Sequence, residues 1–287
     1  MKRLRTTLTI NLIGLTVLFV CLFGYQGITS GGTSFPHQNV VIDTSILKNE
    51  LNEYSRKDLE KMLHAGEEIL EWNEMLSKTE SHVVDQVLKR QGVLWELDHC
   101  PMQDTFDRET YSQYYYHAHR KGEHGHFHLF LRQGGMEKDT FPIFYDARND
   151  TLNDIDTYAH LIAISMDDEG YPLALFTTNR WVTGEDWYTS RDVKKMVDRF
   201  RVNHAHPSYV VNRWLNAMLI LFRPQIDRLI EERETALERY ANGIPIKKVL
   251  EDHELDITSE MPISLKKQIE VIRTQGLFIK KTLQRCR

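Results

Sequence analysis

The sequence predicts an α+β domain, in which a mainly antiparallel sheet of four to six strands is covered by helices. Apolar residues recur at helical spacing near both ends of the body, which indicates helices. The middle of the body alternates or runs apolar in short stretches separated by glycine-containing turns, which indicates hairpins. With 287 residues, 41% of them hydrophobic, the chain is long and apolar enough to bury such a core.

Residues 1–30 are predicted to be a transmembrane helix or signal segment outside the fold. Three basic residues precede an almost wholly apolar run that is just long enough to span a bilayer. Small residues are poorly placed for signal cleavage, so an uncleaved signal anchor is favoured, and a cleaved signal peptide is the alternative. The positive-inside rule then places the body outside the cytoplasm. Residues 31–43, rich in glycine, serine and threonine, are predicted to be a linker.

Residues 44–243 are predicted to form a single α+β domain. Ser55 and Asp58 are a plausible capping pair for its first long helix. Apolar residues at helical spacing also predict a helix over 190–201 and a buried helix from about Val210, which Pro224 should break or kink. Residues 244–287 are expected to form a C-terminal helical extension without chemistry of its own.

The stretch 111–132 holds five of the thirteen histidines and is typical of a β-hairpin, with a polar turn over 120–123. Side chains alternate between the two faces of a strand. Phe127 and Leu129 should therefore face a core, and the histidines of the second strand should share the opposite face. If the register pairs the strands as expected, five imidazoles converge; a one-residue slip would separate them. These candidate metal ligands are His117, His119, His124, His126 and His128.

Three interpretations of this cluster stay open. Neutral imidazoles suit a divalent transition metal such as zinc or iron. They also suit a metal-free pocket in which histidines act as acid, base or hydrogen-bond donors. A half-exposed histidine face without any ligand is the third interpretation.

The second hairpin is predicted over 158–178. Its first strand is apolar on both faces, which is typical of a central strand, and His160 is the exception on it. His160 is either a satisfied core residue or a further catalytic group beside the cluster. Loops at strand ends carry function more often than their share.

The loop over 179–188 follows this hairpin directly, and it has two interpretations. It forms a pocket wall, with Glu185 as catalytic base or ligand and Arg180 holding an anion. Alternatively its tryptophans cap the core and Arg180 pairs with Glu185 or Asp186. The candidate binding residues of the pocket wall are Asn179, Arg180, Trp181 and Trp187.

Two family resemblances attach to these motifs. The spacing His117-x-His119-x-x-x-Glu123 resembles the first metal motif of the cupins, although Tyr111 stands where their glycine is expected and no second motif follows. The stretches HGHFHLFLR and HLIAISMDDEGYPLALFTTNRWVTGEDW resemble an uncharacterised bacterial domain family with no assigned activity, over roughly Leu59 to Arg239. This second resemblance implies that the histidine strand, His160 and the 179–187 loop form one unit.

The expected function is that of a membrane-anchored extracytoplasmic domain with a histidine-lined pocket. A transition metal in it would lower the pKa of bound water to about 7, which suits hydrolysis. The alternative is a non-enzymatic module whose Trp181–Trp187 loop binds an unknown small molecule or protein. The acidic net charge of −5 argues against nucleic acid as the main partner. The expected location is the bacterial inner membrane, with the body facing the periplasm or exterior, or secretion if the signal is cleaved.

Overall fold

A six-stranded antiparallel sheet, in which strand order follows the sequence, organises the structure, which is a computed structural model. The structure describes residues 44–89, 98–144 and 157–285. The strands are β1 (Cys100–Phe106), β2 (Ser112–His117), β3 (Gly125–Arg132), β4 (Tyr158–Met166), β5 (Pro172–Thr178) and β6 (Ile257–Pro262). The predicted α+β class with an antiparallel sheet is confirmed.

Helices precede, separate and follow the strands of this sheet. They are α1 (Thr44–Leu51), α2 (Arg56–Ser77), α3 (Val83–Leu88), α4 (Arg180–Thr183), α5 (Ser190–Arg199), α6 (Tyr209–Leu221), α7 (Arg223–Ala241), α8 (Ile246–Val249) and α9 (Leu265–Arg285). Ser55 caps α2 by accepting a hydrogen bond from the backbone N–H of Asp58. Pro224 lies in the first turn of α7. Backbone N–H groups of the first turn make no hydrogen bond within the helix, so proline, which has no N–H, is tolerated there and a new helix starts.

The helix-covered face of the sheet carries the apolar side chains of the first hairpin. The Tyr114 hydroxyl donates to Asn212 Oδ1 on α6 at 2.6 Å, and Phe127 packs against Trp214 of the same helix. Strand alternation turns the neighbouring residues of both strands to the other face. In the observed register His117 lies directly opposite His126, and Tyr115 lies opposite His128. The pairing of the two histidine sets that the hairpin predicted is therefore present.

An irregularity in the β3–β4 pairing decides where His160 lies. Leu129 pairs with Ile162, but Phe130 pairs with His160, so Leu161 is an extra residue. Such a bulge shifts the alternation of one strand against the other. It places His160 on the same face as His128. Without the bulge, Leu161 would take that place.

The C-terminal segment, predicted to be a helical extension, also contains a strand between its helices. Strand β6 lies within it and pairs antiparallel with β5. The buried Thr177 hydroxyl lies 2.7 Å from Thr258 Oγ1 and 2.6 Å from Ser259 Oγ, and Ser259 donates to the Leu229 carbonyl on α7. Because β6 buries hydroxyl groups and not a row of apolar side chains, its sequence does not show the alternation of apolar and polar residues that is typical of a strand.

Within 44–89, 98–144 and 157–285, no helix has both the length and the apolar character that a membrane span needs. The predicted anchor at 1–30 and the predicted linker at 31–43 lie outside the described residues.

Candidate metal centre

Three histidines of the first hairpin form a compact group on the sheet face away from the helices. They are His117, His126 and His128, called here the histidine triad. One ring nitrogen of each lies within 4.8 Å of the others, and His117 Nε2 lies 2.7 Å from His126 Nε2. All three residues are buried, with exposed fractions of 6%, 1% and 1%. Each is rigidly placed because it projects from a central ladder and not from a loop.

Two ring nitrogens of the triad, His117 Nδ1 and His128 Nε2, are buried without a hydrogen-bond partner among the described residues. A buried polar atom left unpaired costs about 1–3 kcal/mol, so such atoms need a compensating role. Tetrahedral zinc with Zn–N bonds of 2.0–2.1 Å would hold its nitrogens about 3.3 Å apart. One nitrogen of each triad histidine lies within 4.8 Å of the others, so the triad could hold a metal ion.

A carboxylate supports the triad behind His126. Glu123 accepts a hydrogen bond from His126 Nδ1 through Oε1 and another from the Ser165 hydroxyl through Oε2. Arg120 lies 3.5 Å from Glu123 Oε2 and pairs with Glu260 at 2.8 Å. Burial raises the pKa of Glu123 to about 7, against the opposing effects of Ser165 and Arg120.

A second chain of contacts supports His128. His128 Nδ1 lies 3.0 Å from His160 Nε2, and His160 Nδ1 lies 3.4 Å from the Thr178 hydroxyl. The backbone N–H of His160, at the bulge, donates to Glu185 Oε2 at 2.7 Å. Burial raises the pKa of Glu185 to about 7, opposed chiefly by Arg233. Glu185 therefore holds the backbone that presents His160, and among the described residues its link to the triad runs through His160.

Burial keeps these imidazoles neutral. The pKa of His117 is lowered to about 2, first by burial and then by the neighbouring histidines, and that of His160 to about 3, first by burial and then by Arg233. The pKa values of His126 and His128 also lie well below the ordinary range, first because of burial. The neutral ring is the form that coordinates a metal.

Acid is expected to destabilise the metal-free protein through these four buried histidines. Folding lowers the pKa values of these histidines, so their contribution to the free energy of unfolding is fully present above about pH 6.5. Below that pH, the contribution of each histidine falls by up to about 1.4 kcal/mol per pH unit. Glu123 and Glu185 act in the opposite direction, because a raised pKa favours the fold as pH falls from about 7 towards 4.5. Four histidines outweigh two carboxyls. Urea unfolding in chelator should therefore show a falling free energy of unfolding below about pH 6.5; a constant or rising value would contradict this assignment.

The other predicted ligands of the hairpin lie in two different places. His119 is exposed at the edge of the triad, with ring centroids 4.8 Å from His117 and 5.1 Å from His126. His124 lies apart, with Nδ1 2.7 Å from the hydroxyl of Tyr116, a residue of the helix-covered face. The structure thus brings four of the five predicted ligands together and separates His124, because it precedes the regular alternation of β3.

The predicted binding residues of the 179–187 loop are held by the C-terminal segment. Asn179 caps α4 and donates to the Val249 carbonyl. Arg180 pairs with Glu251, whereas one of the two interpretations of the loop paired it with Glu185 or Asp186. Trp181 stacks on His253, with ring centroids 4.2 Å apart, and donates to the Leu255 carbonyl. Trp187 is 2% exposed and lies under the guanidinium of Arg233. Among the residues that the structure describes, the loop forms no open aromatic groove, and the interpretation in which its tryptophans pack onto the fold describes it better.

Sequence patterns do not point to every residue beside the triad. His99 stacks on Tyr115 at 3.6 Å between centroids, 5.7 Å from His117, because β1 pairs with β2. Its position follows from sheet pairing across an isolated histidine, which carries no spacing signal. The cupin-like spacing in the sequence does include Glu123, but it predicts that Glu123 is a metal ligand. Here it supports a ligand.

A comparison with protein-family models found one that matches residues 63–263, described as "Domain of unknown function (DUF6969)". Searches of curated proteins and of solved structures each found no significant match. The family match spans both hairpins, the 179–187 loop and β6, so it extends further along the chain than the resemblance that the sequence predicted. That predicted resemblance to a domain family without assigned activity is confirmed. Because the match covers well over half of its length, the chain belongs to the DUF6969 family.

Proposed function

We propose that this domain binds one divalent transition metal ion, zinc or iron, through His117, His126 and His128. The observation that carries the proposal is the buried triad itself, in which three neutral imidazoles converge and His128 Nε2 has no partner among the described residues. A histidine face without a ligand would leave that nitrogen exposed to water or paired. A metal ion bound to His128 Nε2 would use its lone pair and offset the cost of burying it.

Three imidazoles are the ligand set of some catalytic zinc sites, in which a fourth position stays open for water or substrate. We propose hydrolysis as the reaction class, since such a metal activates water near neutral pH. In this proposal Glu123 and His160 orient the ligands, and Glu185 holds His160 in place. The sequence offered His160 and Glu185 as catalytic residues. In this proposal they position the ligands instead, because both lie behind the triad.

We further propose that residues 1–30 anchor the protein in a membrane and that the domain faces away from the cytoplasm. The charge and apolar pattern of that segment support this proposal. Membrane fractionation followed by protease treatment of spheroplasts tests both parts. Soluble protein, or membrane protein that the protease cannot reach, would contradict it.

The metal proposal is tested by elemental analysis of the full-length protein, purified in mild detergent. The protein is stripped with chelator, reconstituted separately with Zn²⁺ and Fe²⁺, and desalted before plasma mass spectrometry. One metal ion per chain is expected for at least one of the two metals. Substoichiometric metal with both would contradict the proposal, and would favour the metal-free pocket.

A further inference from the structure

The three ligands of the triad differ in what lies behind them. His126 has a carboxylate at Nδ1, whereas His128 has the neutral imidazole of His160 there. His117 Nδ1 has no partner among the described residues. The side chain of Glu123 is 5% exposed, so its contact with His126 is shielded from water.

The contacts of Glu123 determine the tautomer of His126. An ionised carboxylate only accepts hydrogen bonds, and the Ser165 hydroxyl and the Arg120 guanidinium are both donors to its Oε2. Its Oε1 therefore accepts the Nδ1 proton of His126. With that proton at Nδ1, the lone pair of His126 is at Nε2, the atom that faces His117 at 2.7 Å.

We propose that Glu123 is the positioning residue of the metal site, which fixes His126 in the Nδ1–H tautomer and makes it the strongest of the three ligands. This inference rests on the proposed metal binding. A carboxylate behind a coordinating histidine fixes the ring orientation and raises its basicity, and removing such a partner costs 10- to 100-fold in metal affinity. Glu123 does not itself contact the metal.

The test compares Glu123→Gln with Glu260→Gln in the full-length protein. Both substitutions remove a carboxylate that pairs with Arg120, but only Glu123 contacts a triad histidine. Zinc affinity, measured by competition with a chromophoric chelator, should fall about 10- to 100-fold in Glu123→Gln and stay unchanged in Glu260→Gln. If Glu123→Gln does not fold, Ser165→Ala removes one donor to Glu123 and should weaken affinity in the same direction, by less.

A second readout reports the tautomer without any metal. Long-range ¹H–¹⁵N spectra of the metal-free protein, at mildly alkaline pH, should show His126 protonated at Nδ1 in the wild type and a mixture of tautomers in Glu123→Gln. A merely structural role of Glu123 would leave that ratio unchanged.

The outcomes separate the two proposals. A wild type that binds zinc, with Glu123→Gln equally tight or the tautomer unmoved, overturns the role of Glu123 and leaves the metal site standing. A wild type that binds no metal overturns the metal site, and the role of Glu123 with it.

Discussion

The double variant His126→Ala/His128→Ala is expected to lose metal binding and the thermal stabilisation that metal gives. It removes two of the three converging imidazoles and leaves His117 as a single ligand. In the wild type, metal at 100 times its dissociation constant should stabilise the fold by about 2.7 kcal/mol, because it binds the native state and not the unfolded chain. The variant should gain no stability from the same metal. Thermal unfolding with and without Zn²⁺, in chelator-stripped protein, measures the difference.

The control for that variant removes two histidines elsewhere. His64 on α2 and His206 before α6 are both exposed and lie outside the triad. The variant His64→Ala/His206→Ala should keep the full metal-dependent increase in melting temperature. An equal loss in both double variants would mean that zinc binds surface histidines, and would count against the buried site.

Replacing Arg233 by methionine is expected to lower the free energy of unfolding by about 1–3 kcal/mol at neutral to alkaline pH, because the Tyr188 carbonyl loses its donor and Glu185 loses the charge that most favours its ionised form. Both side chains are essentially inaccessible, with exposed fractions of 1% for Arg233 and 0% for Glu185. Arg233 also donates to the Tyr188 carbonyl at 2.9 Å, and its guanidinium carbon lies 4.0 Å from the centre of the Trp187 ring. Urea unfolding at two pH values measures the loss.

A second substitution separates charge from packing in that result. In Arg233→Met/Glu185→Gln the buried charge is gone, and the glutamine oxygen can still accept the His160 N–H. The double variant should be more stable than Arg233→Met alone. The single variant should also become relatively more stable as pH falls, because Glu185 can then be protonated. Additive effects, or a pH-independent loss, would show that the charge of Glu185 does not matter.

The parts of the fold that could be predicted from sequence are those in which local pattern and burial agree. The first hairpin could be predicted because apolar residues such as Phe127 and Leu129 alternate with histidines on one strand. The second could be predicted because 158–166 is apolar on both faces, as a central strand requires. To predict that His117 and His126 converge, only the register of the two strands was needed in addition. The turn and the apolar face that packs on the core determine that register together.

Other features depend on contacts that no local pattern carries. The position of His160 beside His128 depends on the bulge at Leu161, and the bulge leaves no mark in the apolar pattern. Strand β6 is held by buried hydroxyls such as Ser259, so it lacks the alternation of an apolar strand. Arg233 lies on a heavily charged helix, where sequence alone does not distinguish a buried arginine from its exposed neighbours.

X-ray absorption at the metal K-edge, on the reconstituted full-length protein, tests the metal site most directly. The triad predicts a first shell of nitrogen or oxygen at about 2.0–2.1 Å for zinc. It also predicts the outer-shell scattering of three imidazoles in the wild type, which should be reduced to that of one or none in His126→Ala/His128→Ala. A wild-type spectrum without imidazole scattering, or with sulfur in the first shell, would contradict a metal site built from His117, His126 and His128.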